Sequence, residues 1–274
     1  MTDATYTSKF FSWALDRVES SAEAVVPLVM ERVAPRSVVD LGCGLGVWLE
    51  AFARHGVADY VGVDGDWVPT SSLRFPQERF VASRLDKPLD LGRRFDLSLA
   101  LEVAEHLPQH RADEFVRNVV RHAPCVLFSA AIPYQGGTDH VNEQWPHYWA
   151  ERFAAQGYVA VDGIRPLIWS NPAVLPFYRQ NVVMFATPEL IAQRPLLAQD
   201  RERTVDDQLS LVHPELMESI AAHPDEHVRR PDARDLMLGE LLAALPTVTA
   251  RSMRWRLGRL TTRTSRRRRP DSPR

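Results

Sequence analysis

The feature that most constrains the fold is a run of β-branched residues leading into three closely spaced glycines. Val38–Gly46 reads VVDLGCGLG, and the helix-like stretch Val47–His55 follows at once. The backbone can turn tightly at Gly42, Gly44 and Gly46, and no Cβ blocks the approach of a ligand there. Because a helix offers free N–H groups at its start, the pattern predicts a strand, a ligand-binding turn and a helix.

The spacing of these glycines excludes two common phosphate sites. A dinucleotide-binding loop requires a third Gly or Ala at a position that falls on Val47 or Leu49 here, and a P-loop requires GK before Ser or Thr. Asp64 ends a second strand-like run, 18 residues after Gly46, where a carboxylate can accept hydrogen bonds from two ribose hydroxyls. A close turn and a ribose-binding acid without a phosphate fingerprint suit a nucleoside, of which S-adenosylmethionine (SAM) is the commonest.

Short apolar runs alternate with helix-like stretches through the first half of the chain. Five runs have strand character, namely Ser37–Leu41, Tyr60–Asp64, Phe80–Leu85, Phe95–Leu101 and Cys125–Ile132. Helical spacing lies between them, at Val47–His55 and Ala112–His122. The alternation is typical of βαβ units and predicts a parallel sheet covered by helices on both faces.

The chain then changes character. After a helix candidate at His147–Gln156, the strand-like stretches Tyr158–Trp169 and Gln180–Thr187 lie only about ten residues apart, which favours an antiparallel hairpin over a helical crossover. We predict an α/β, Rossmann-like doubly wound sheet of seven strands, mostly parallel with an antiparallel last strand, plus helical additions at both ends. The predicted divisions are a helical segment 1–36 with a helix at 21–33 interrupted by Pro27, a ligand-binding domain 37–188, a helical extension 189–250 with its best pattern at 235–245, and a basic, disordered tail 251–274.

Composition and charge bear on the setting and the partners. No apolar run approaches the roughly 20 residues of a membrane helix, and the first residues lack the order of a secretory signal, so we expect a cytoplasmic protein. Its two cysteines cannot form a disulfide framework or a four-cysteine zinc site. Ten arginines against one aspartate give residues 251–274 a charge of +9, so the preceding 250 residues carry −11. An acidic body disfavours nucleic acid as a partner, whereas the basic tail could touch an anionic membrane surface weakly.

The order of these motifs resembles that of the class I SAM-dependent methyltransferases over about residues 37–187. The resemblance implies SAM as the methyl donor and 37–188 as the SAM-binding methyltransferase domain. It also implies that the first cofactor motif consists of Asp40, Gly42, Gly44 and Gly46. The ribose-binding acid would be Asp64.

Two later segments extend the resemblance. In Ser83–Asp86 (SRLD), Leu85 would pack against the adenine ring and Asp86 would accept from its exocyclic amine, although Asp90 offers a rival carboxylate. The segment LALEVAEHL at 99–107 is similar to the fourth motif of the family, and its Glu102 would line the methionine end of SAM.

The sequence EVAEH at 102–106 also suggests acid–base or metal chemistry. If this segment is helical, Glu102, Glu105 and His106 lie at i, i+3 and i+4 and share a face. Two carboxylates and an imidazole can hold a divalent cation such as Mg²⁺, or pair as acid and base. The pattern resembles a minority of class I methyltransferases that bind a metal through these residues and a later histidine, here His140, whereas many relatives carry a similar segment without metal.

Residues 133–149 follow the fifth strand, at the edge of an open sheet where ligands gather. Their aromatic rings, together with Asn, Glu and Gln, suit a polar cyclic acceptor such as a sugar. His140 is the first candidate for a general base, because histidine titrates near neutral pH, and His106 and Glu143 are further catalytic candidates. The alternative is a structured loop whose aromatic residues cap the core. The expected substrate contacts are Tyr134, Asn142, Trp145, Tyr148 and, in the next crossing, Trp169.

These observations predict a SAM-dependent O-methyltransferase that acts on a glycan or a small hydroxylated metabolite. The alternatives are N-methylation, methylation of RNA or protein, and a SAM-binding module without activity. The helix-leaning segment after Pro188 could pair with a second copy, so a homodimer is a further expectation.

Overall fold

The strands predicted from the apolar runs form one sheet in the computed structural model, which describes residues 8–222. In chain order they are β1 (Ser37–Leu41), β2 (Asp59–Asp64), β3 (Phe80–Ala82), β4 (Leu97–Leu101), β5 (Cys125–Ser129), β6 (Val159–Val161) and β7 (Val183–Ala186). Their order in space is β3-β2-β1-β4-β5-β7-β6, and β7 runs antiparallel to both of its neighbours. The remaining neighbours pair in parallel, which confirms the predicted seven-stranded sheet.

Helices cover both faces of the sheet. The α-helices within the described residues are α1 (Ser8–Val33), α2 (Val47–Arg54), α3 (Ala112–His122), α4 (Pro146–Ala154), α5 (Arg165–Ile168), α6 (Pro176–Asn181), α7 (Pro188–Gln193), α8 (Pro195–Arg203) and α9 (Pro214–Ala222). Alternate strand residues serve the two faces. On β5, Cys125 and Leu127 join the core beneath α1 and α2, whereas Val126 and Phe128 join the core beneath α3 and α4.

Helix α1 is part of the main core. Val25, Val29 and Val33 are fully buried against the sheet. The predicted interruption at Pro27 is wrong, because the helix runs through it. Pro27 lies on the exposed side, where water can satisfy the carbonyl that its missing N–H leaves unpaired.

The connection between the last two strands differs from the predicted hairpin. β6 and β7 do pair antiparallel, but the strand predicted from Tyr158 to Trp169 covers only Val159–Val161, and α5 and α6 fill the connection. Two residues between the end of the strand and the first turn of α5 fit this course of the chain. A Cβ at Gly163 would collide with the Asp200 side chain, and Pro166 lies in the first turn of α5, where proline favours a helix start.

Several expectations concern residues outside the described range. The helix at 235–245 and the tail 251–274, with its proposed disorder and membrane contact, lie beyond residue 222. No helix among residues 8–222 combines the length and the apolar character needed to cross a bilayer. The predicted divisions at residues 36, 188 and 250 stay predictions.

Candidate active site

The glycine turn after β1 has the backbone conformation that only glycine adopts freely. Gly42, Gly44 and Gly46 have φ angles of 95°, 51° and 84°. A Cβ on Gly42 would come within 3.0 Å of the Val103 side chain, and one on Gly46 would come as close to Phe75. Gly44 has nothing within 4 Å of its missing Cβ, so the turn is packed on two sides and open at its middle.

Asp64, at the end of β2, holds this turn in place. Its Oδ2 accepts from the N–H of Gly44 at 2.8 Å, and its Oδ1 accepts from the N–H of Gly65 at 2.7 Å. Each oxygen keeps a further lone pair for a ribose hydroxyl. Burial raises the pKa of Asp64, and the two N–H donors oppose that rise. The predicted ribose-binding acid therefore also shapes the glycine turn.

Asp40 lies behind the turn and is 2% exposed. Burial, with the nearby Asp64 carboxylate adding to it, raises the pKa of Asp40 from 3.8 to about 7. A charged Asp64 therefore disfavours ionisation of Asp40.

The turn opens into a cavity of about 600 Å³, a volume typical of small-molecule sites. Asp40 and Gly46 are not part of its lining. The lining also includes Trp67, three residues after Asp64, which no sequence motif had indicated. Its ring packs closely against Gly65, and 41% of the residue is exposed. Six of the predicted cofactor residues border the cavity, and these are Gly42, Gly44, Asp64, Leu85, Asp86 and Glu102.

Asp86 is held at the cavity by its neighbour Arg84. The guanidinium donates to both carboxylate oxygens, at 3.0 and 2.9 Å, and this pair lowers the pKa of Asp86. The rival carboxylate, Asp90, instead accepts from the Gly92 N–H and from Arg121 on the surface. Between the two candidates, the structure places Asp86 at the cavity.

Glu102 does not share a helical face with Glu105 and His106, so that expectation is wrong. Its N–H bonds to the carbonyl and hydroxyl oxygens of Ser129, which continues the pairing of β4 with β5, and its φ is 54°. Only the short 3₁₀ turn Ala104–His106 follows. Burial raises the pKa of Glu102, opposed chiefly by the hydrogen bond from Asn181.

Glu105, His106 and His140 nevertheless come together. The loop after β5 is fastened to the Glu105 carbonyl by the N–H groups of Val141 and Asn142, at 2.8 and 3.0 Å. One ligand atom from each of Glu105, His106 and His140 lies within 4.8 Å of the others, and the two imidazole rings meet edge to face at 4.9 Å. Glu102 is not a member of this group, which leaves three of the four predicted metal ligands together.

Two members of the cluster carry buried polar atoms without hydrogen-bond partners. Glu105 is fully buried, and neither of its carboxylate oxygens has one. Burial and the Glu102 charge raise its pKa well above the usual range. The Nδ1 atom of His106 is also unpaired, and burial lowers the pKa of His106 to about 4, so the ring is neutral at pH 7. Burying such groups costs free energy unless a ligand or a proton supplies the missing interaction.

Glu143 orients His140. Its Oε1 lies 3.0 Å from the Nδ1 of His140 and accepts from the N–H of Gly136, while its Oε2 accepts from the N–H of Tyr134. The backbone of Gly137 packs against the imidazole ring. With Nδ1–H donating to Glu143, the Nε2 of His140 keeps its lone pair for a proton or a metal ion.

The predicted substrate residues divide into two groups. Tyr134 and Trp145 are 60% and 38% exposed and stay candidates. Asn142 is buried and accepts from Gln144, the Arg152 guanidinium covers the Tyr148 ring, and the Trp169 ring packs on His213. The contacts of these three residues favour a structural role over a substrate contact. Within the described residues, the cavity lining contains none of the five.

Comparison with known proteins decides the family. Residues 16–164, more than half of the 274, match the family described as "Methyltransferase domain". The chain belongs to the class I SAM-dependent methyltransferase family. The ubiquinone biosynthesis O-methyltransferase of Azorhizobium caulinodans is 42% identical over 79 residues, and the match covers 26% of this chain and 30% of that one. The chain therefore matches less than a third of that relative.

Solved structures support the fold of this methyltransferase. The sugar N-methyltransferase KedS8 from Streptoalloteichus sp. superposes with a TM-score of 0.52 at 16% identity, over 66% of this chain and 93% of that one. DesVI from Streptomyces venezuelae gives a TM-score of 0.50 at 14% identity, over 65% and 96% of the two chains. At these identities the likeness concerns the fold alone.

Proposed function

We propose that this methyltransferase moves the methyl group of SAM to a hydroxyl of a glycan or a small hydroxylated metabolite. The observation that carries the proposal is the cavity itself. The glycine turn and Asp64 border it together with His106, and the loop residues on either side of His140 complete its lining. A nucleoside site that shares its cavity with the His106 imidazole, against which the His140 ring packs, suits proton removal from an acceptor during transfer.

The cofactor residues have separable roles in this proposal. The open side of Gly44 admits the ligand, Asp64 accepts from the ribose hydroxyls, and Asp86 accepts from the adenine amine. Glu102 lies at the methionine end. Because methyl transfer is an in-line displacement, these contacts act mainly by alignment.

His140 is the proposed general base. As the acceptor oxygen bonds to the methyl carbon, the sulfur–methyl bond breaks, S-adenosylhomocysteine leaves, and the hydroxyl proton passes to Nε2 of His140. Glu143 fixes the tautomer that this step needs. His106, neutral at pH 7, contacts the His140 ring and lines the cavity, so it is placed to contact the acceptor.

Calorimetric titration of SAM into the wild-type protein and into Asp64→Asn tests the cofactor site. The amide nitrogen replaces one of the two carboxylate oxygens and cannot accept, so one of the Gly44 and Gly65 N–H groups and one ribose hydroxyl lose their acceptor. We therefore expect at least a tenfold loss of affinity, about 1.4 kcal/mol. Asp59→Asn, on the same strand but paired with Arg93 at the surface, is the matched control and should bind normally. Unchanged affinity in Asp64→Asn would refute the ribose assignment.

The acceptor is tested by transfer of a labelled methyl group to matched hydroxyl and amine forms of the same sugars and cyclic metabolites. Labelling of the hydroxyl forms, lost in His140→Ala, supports the proposal. Preference for the amine forms would instead favour N-methylation, the reaction for which the sugar N-methyltransferase KedS8 is named. SAM binding without transfer to any acceptor would indicate a non-catalytic module, and labelling of RNA or protein would favour the macromolecular alternative.

We also propose that Glu105, His106 and His140 hold a divalent cation. The unpaired buried atoms of Glu105 and His106 and the free Nε2 of His140 fit such an ion. Two imidazoles and one carboxylate suit a first-row transition ion better than Mg²⁺. A bound cation would occupy the Nε2 lone pair of His140, so the metal role and the general-base role of His140 are alternatives. With the cation present, the Lewis acidity of the ion would lower the pKa of an acceptor hydroxyl.

Metal analysis of the purified protein, with and without prior chelation, tests this part. We expect about one ion per chain in the wild type, little in Glu105→Gln, and turnover that falls after chelation and returns with added Mn²⁺ or Zn²⁺. A metal-free protein with undiminished turnover in excess chelator would exclude the site. The hydroxyl proposal would survive that result, because His140 can act as base without a metal.

A further inference from the structure

The short helix α6 contacts α2 on one side and, on the other, the residues that precede and begin α9. Tyr178 packs edge-on against Trp48 at 5.1 Å, and the Trp48 indole N–H donates to its hydroxyl at 3.3 Å. Trp48 is the second residue of α2, directly after the glycine turn. One side of α6 therefore rests on the element that carries the turn.

The residues that precede and begin α9 anchor α6 from outside. Arg179 donates to both carboxylate oxygens of Glu215, at 2.9 and 2.6 Å. Gln180 donates to the Leu211 carbonyl at 2.6 Å and accepts from the N–H of His213. The helix that ends with Asn181 is therefore held by neighbouring elements on both sides.

Asn181 reaches Glu102 across 79 residues of sequence. Its Nδ2 donates to Oε1 of Glu102 at 3.2 Å and to Oε1 of Gln135 at 2.9 Å, while Nε2 of Gln135 donates to Oε2 of Glu102 at 3.2 Å. The three side chains thus form a closed triangle in which each carboxylate oxygen accepts from one amide. Asn181 is 3% exposed, so its amide is shielded from water, whereas Glu102 and Gln135 are partly exposed.

The triangle holds the side chain of Glu102, a residue with an unfavourable backbone conformation. Glu102 has a φ of 54°, a conformation that side chains other than glycine rarely adopt, and it belongs to the cavity lining. Strained residues persist where surrounding contacts over-determine them, and they cluster at functional sites. Asn181 supplies such a contact from outside the methyltransferase motifs.

We propose that Asn181 is a positioning residue that fixes the Glu102 carboxylate for the methionine end of SAM. The proposal rests on the proposed function, because it assumes that Glu102 contacts the cofactor. Asn181 acts through Glu102 and touches no reacting atom. Its loss should therefore matter for SAM binding only while residue 102 carries a carboxylate.

A double-mutant cycle on SAM affinity tests this coupling. Calorimetry compares the wild type, Asn181→Leu, Glu102→Gln and the double variant, and thermal melting follows stability in parallel. We expect Asn181→Leu to weaken SAM binding at least tenfold in the wild-type background and less than about twofold in the Glu102→Gln background. Asn181→Ser, which adds no bulk, serves as the second variant if the leucine variant does not fold.

Glu215→Gln is the matched control for a purely structural role of α6. It weakens the outer anchor without touching the triangle, so it should lower the melting temperature and leave SAM affinity within about twofold. Equal affinity losses for Asn181→Leu in both backgrounds, or no loss in either, would overturn the positioning role while wild-type binding upholds the proposed function. A wild type that does not bind SAM would refute the proposed function and this inference with it.

Discussion

The buried carboxyl of Asp40 makes a quantitative prediction about stability and pH. Its pKa is about 7 in the folded protein, against 3.8 for an ordinary aspartate. Between these values the folded state binds more protons than the unfolded state, so the contribution of Asp40 falls as pH rises through this window and levels off above it. The direction is opposite to that of a salt-bridged aspartate.

The magnitude follows from the width of the window. At about 1.36 kcal/mol per pKa unit, the free energy of unfolding should lose roughly 2–3 kcal/mol between about pH 5 and pH 8 through Asp40 alone. Asp40→Asn keeps the shape of the side chain and cannot ionise. We therefore expect the stability of the wild type, measured relative to this variant, to decline by that amount over the same range.

Urea unfolding at a series of pH values, followed by circular dichroism, measures both proteins under matched conditions. The informative quantity is the difference between the two free energies of unfolding, because other titrating groups contribute almost equally to both. A difference that stays constant from about pH 5 to pH 8 would refute the reasoning, since Asp40 would then titrate alike in the folded and unfolded chains.

Two further predictions concern the glycine turn and the loop after β5 that carries His140 and Glu143. Gly42→Ala should lower the free energy of unfolding by about 1–3 kcal/mol more than Gly56→Ala does. Both glycines have a φ near 95°, but only a Cβ at Gly42 would meet the Val103 side chain. Equal losses in urea unfolding would show that Val103 moves aside. Glu143→Gln should cut turnover roughly 10–100-fold with SAM affinity unchanged, because it disturbs the orientation of His140, and near-normal turnover in the methyl-transfer assay would remove that role.

The proposed cofactor half of the site was predictable because its parts are local in the chain. A strand, a glycine turn and a helix lie within 18 residues, and Asp64 follows on the neighbouring parallel strand, so sheet geometry brings its carboxylate to the Gly44 N–H. Sequence alone also indicated the antiparallel last strand. It did not show α5 and α6, because the apolar residues from 158 to 169 also fit a strand.

The acceptor half was less predictable because its contacts are distant in sequence. The spacing of Glu102, Glu105 and His106 would place them on one face only in a helix, but the bond from the Glu102 N–H to Ser129 extends the sheet pairing instead. Asn181 carried no local signal for its contact with Glu102. The composition of residues 133–149 suggested that their aromatic rings contact the substrate. In the structure Arg152 covers the Tyr148 ring, and this contact depends on the packing of α4, which composition does not show.

The burial of α1 has a practical consequence for dissecting this protein. Its valines fill the face of the sheet that also receives α2, so a fragment starting at residue 37 would leave that face uncovered. Such a fragment would retain every predicted cofactor residue and still be expected to aggregate, since a bare apolar sheet face invites association between copies. Anyone seeking a minimal catalytic unit should keep the leading helix, although it supplies none of the predicted site residues.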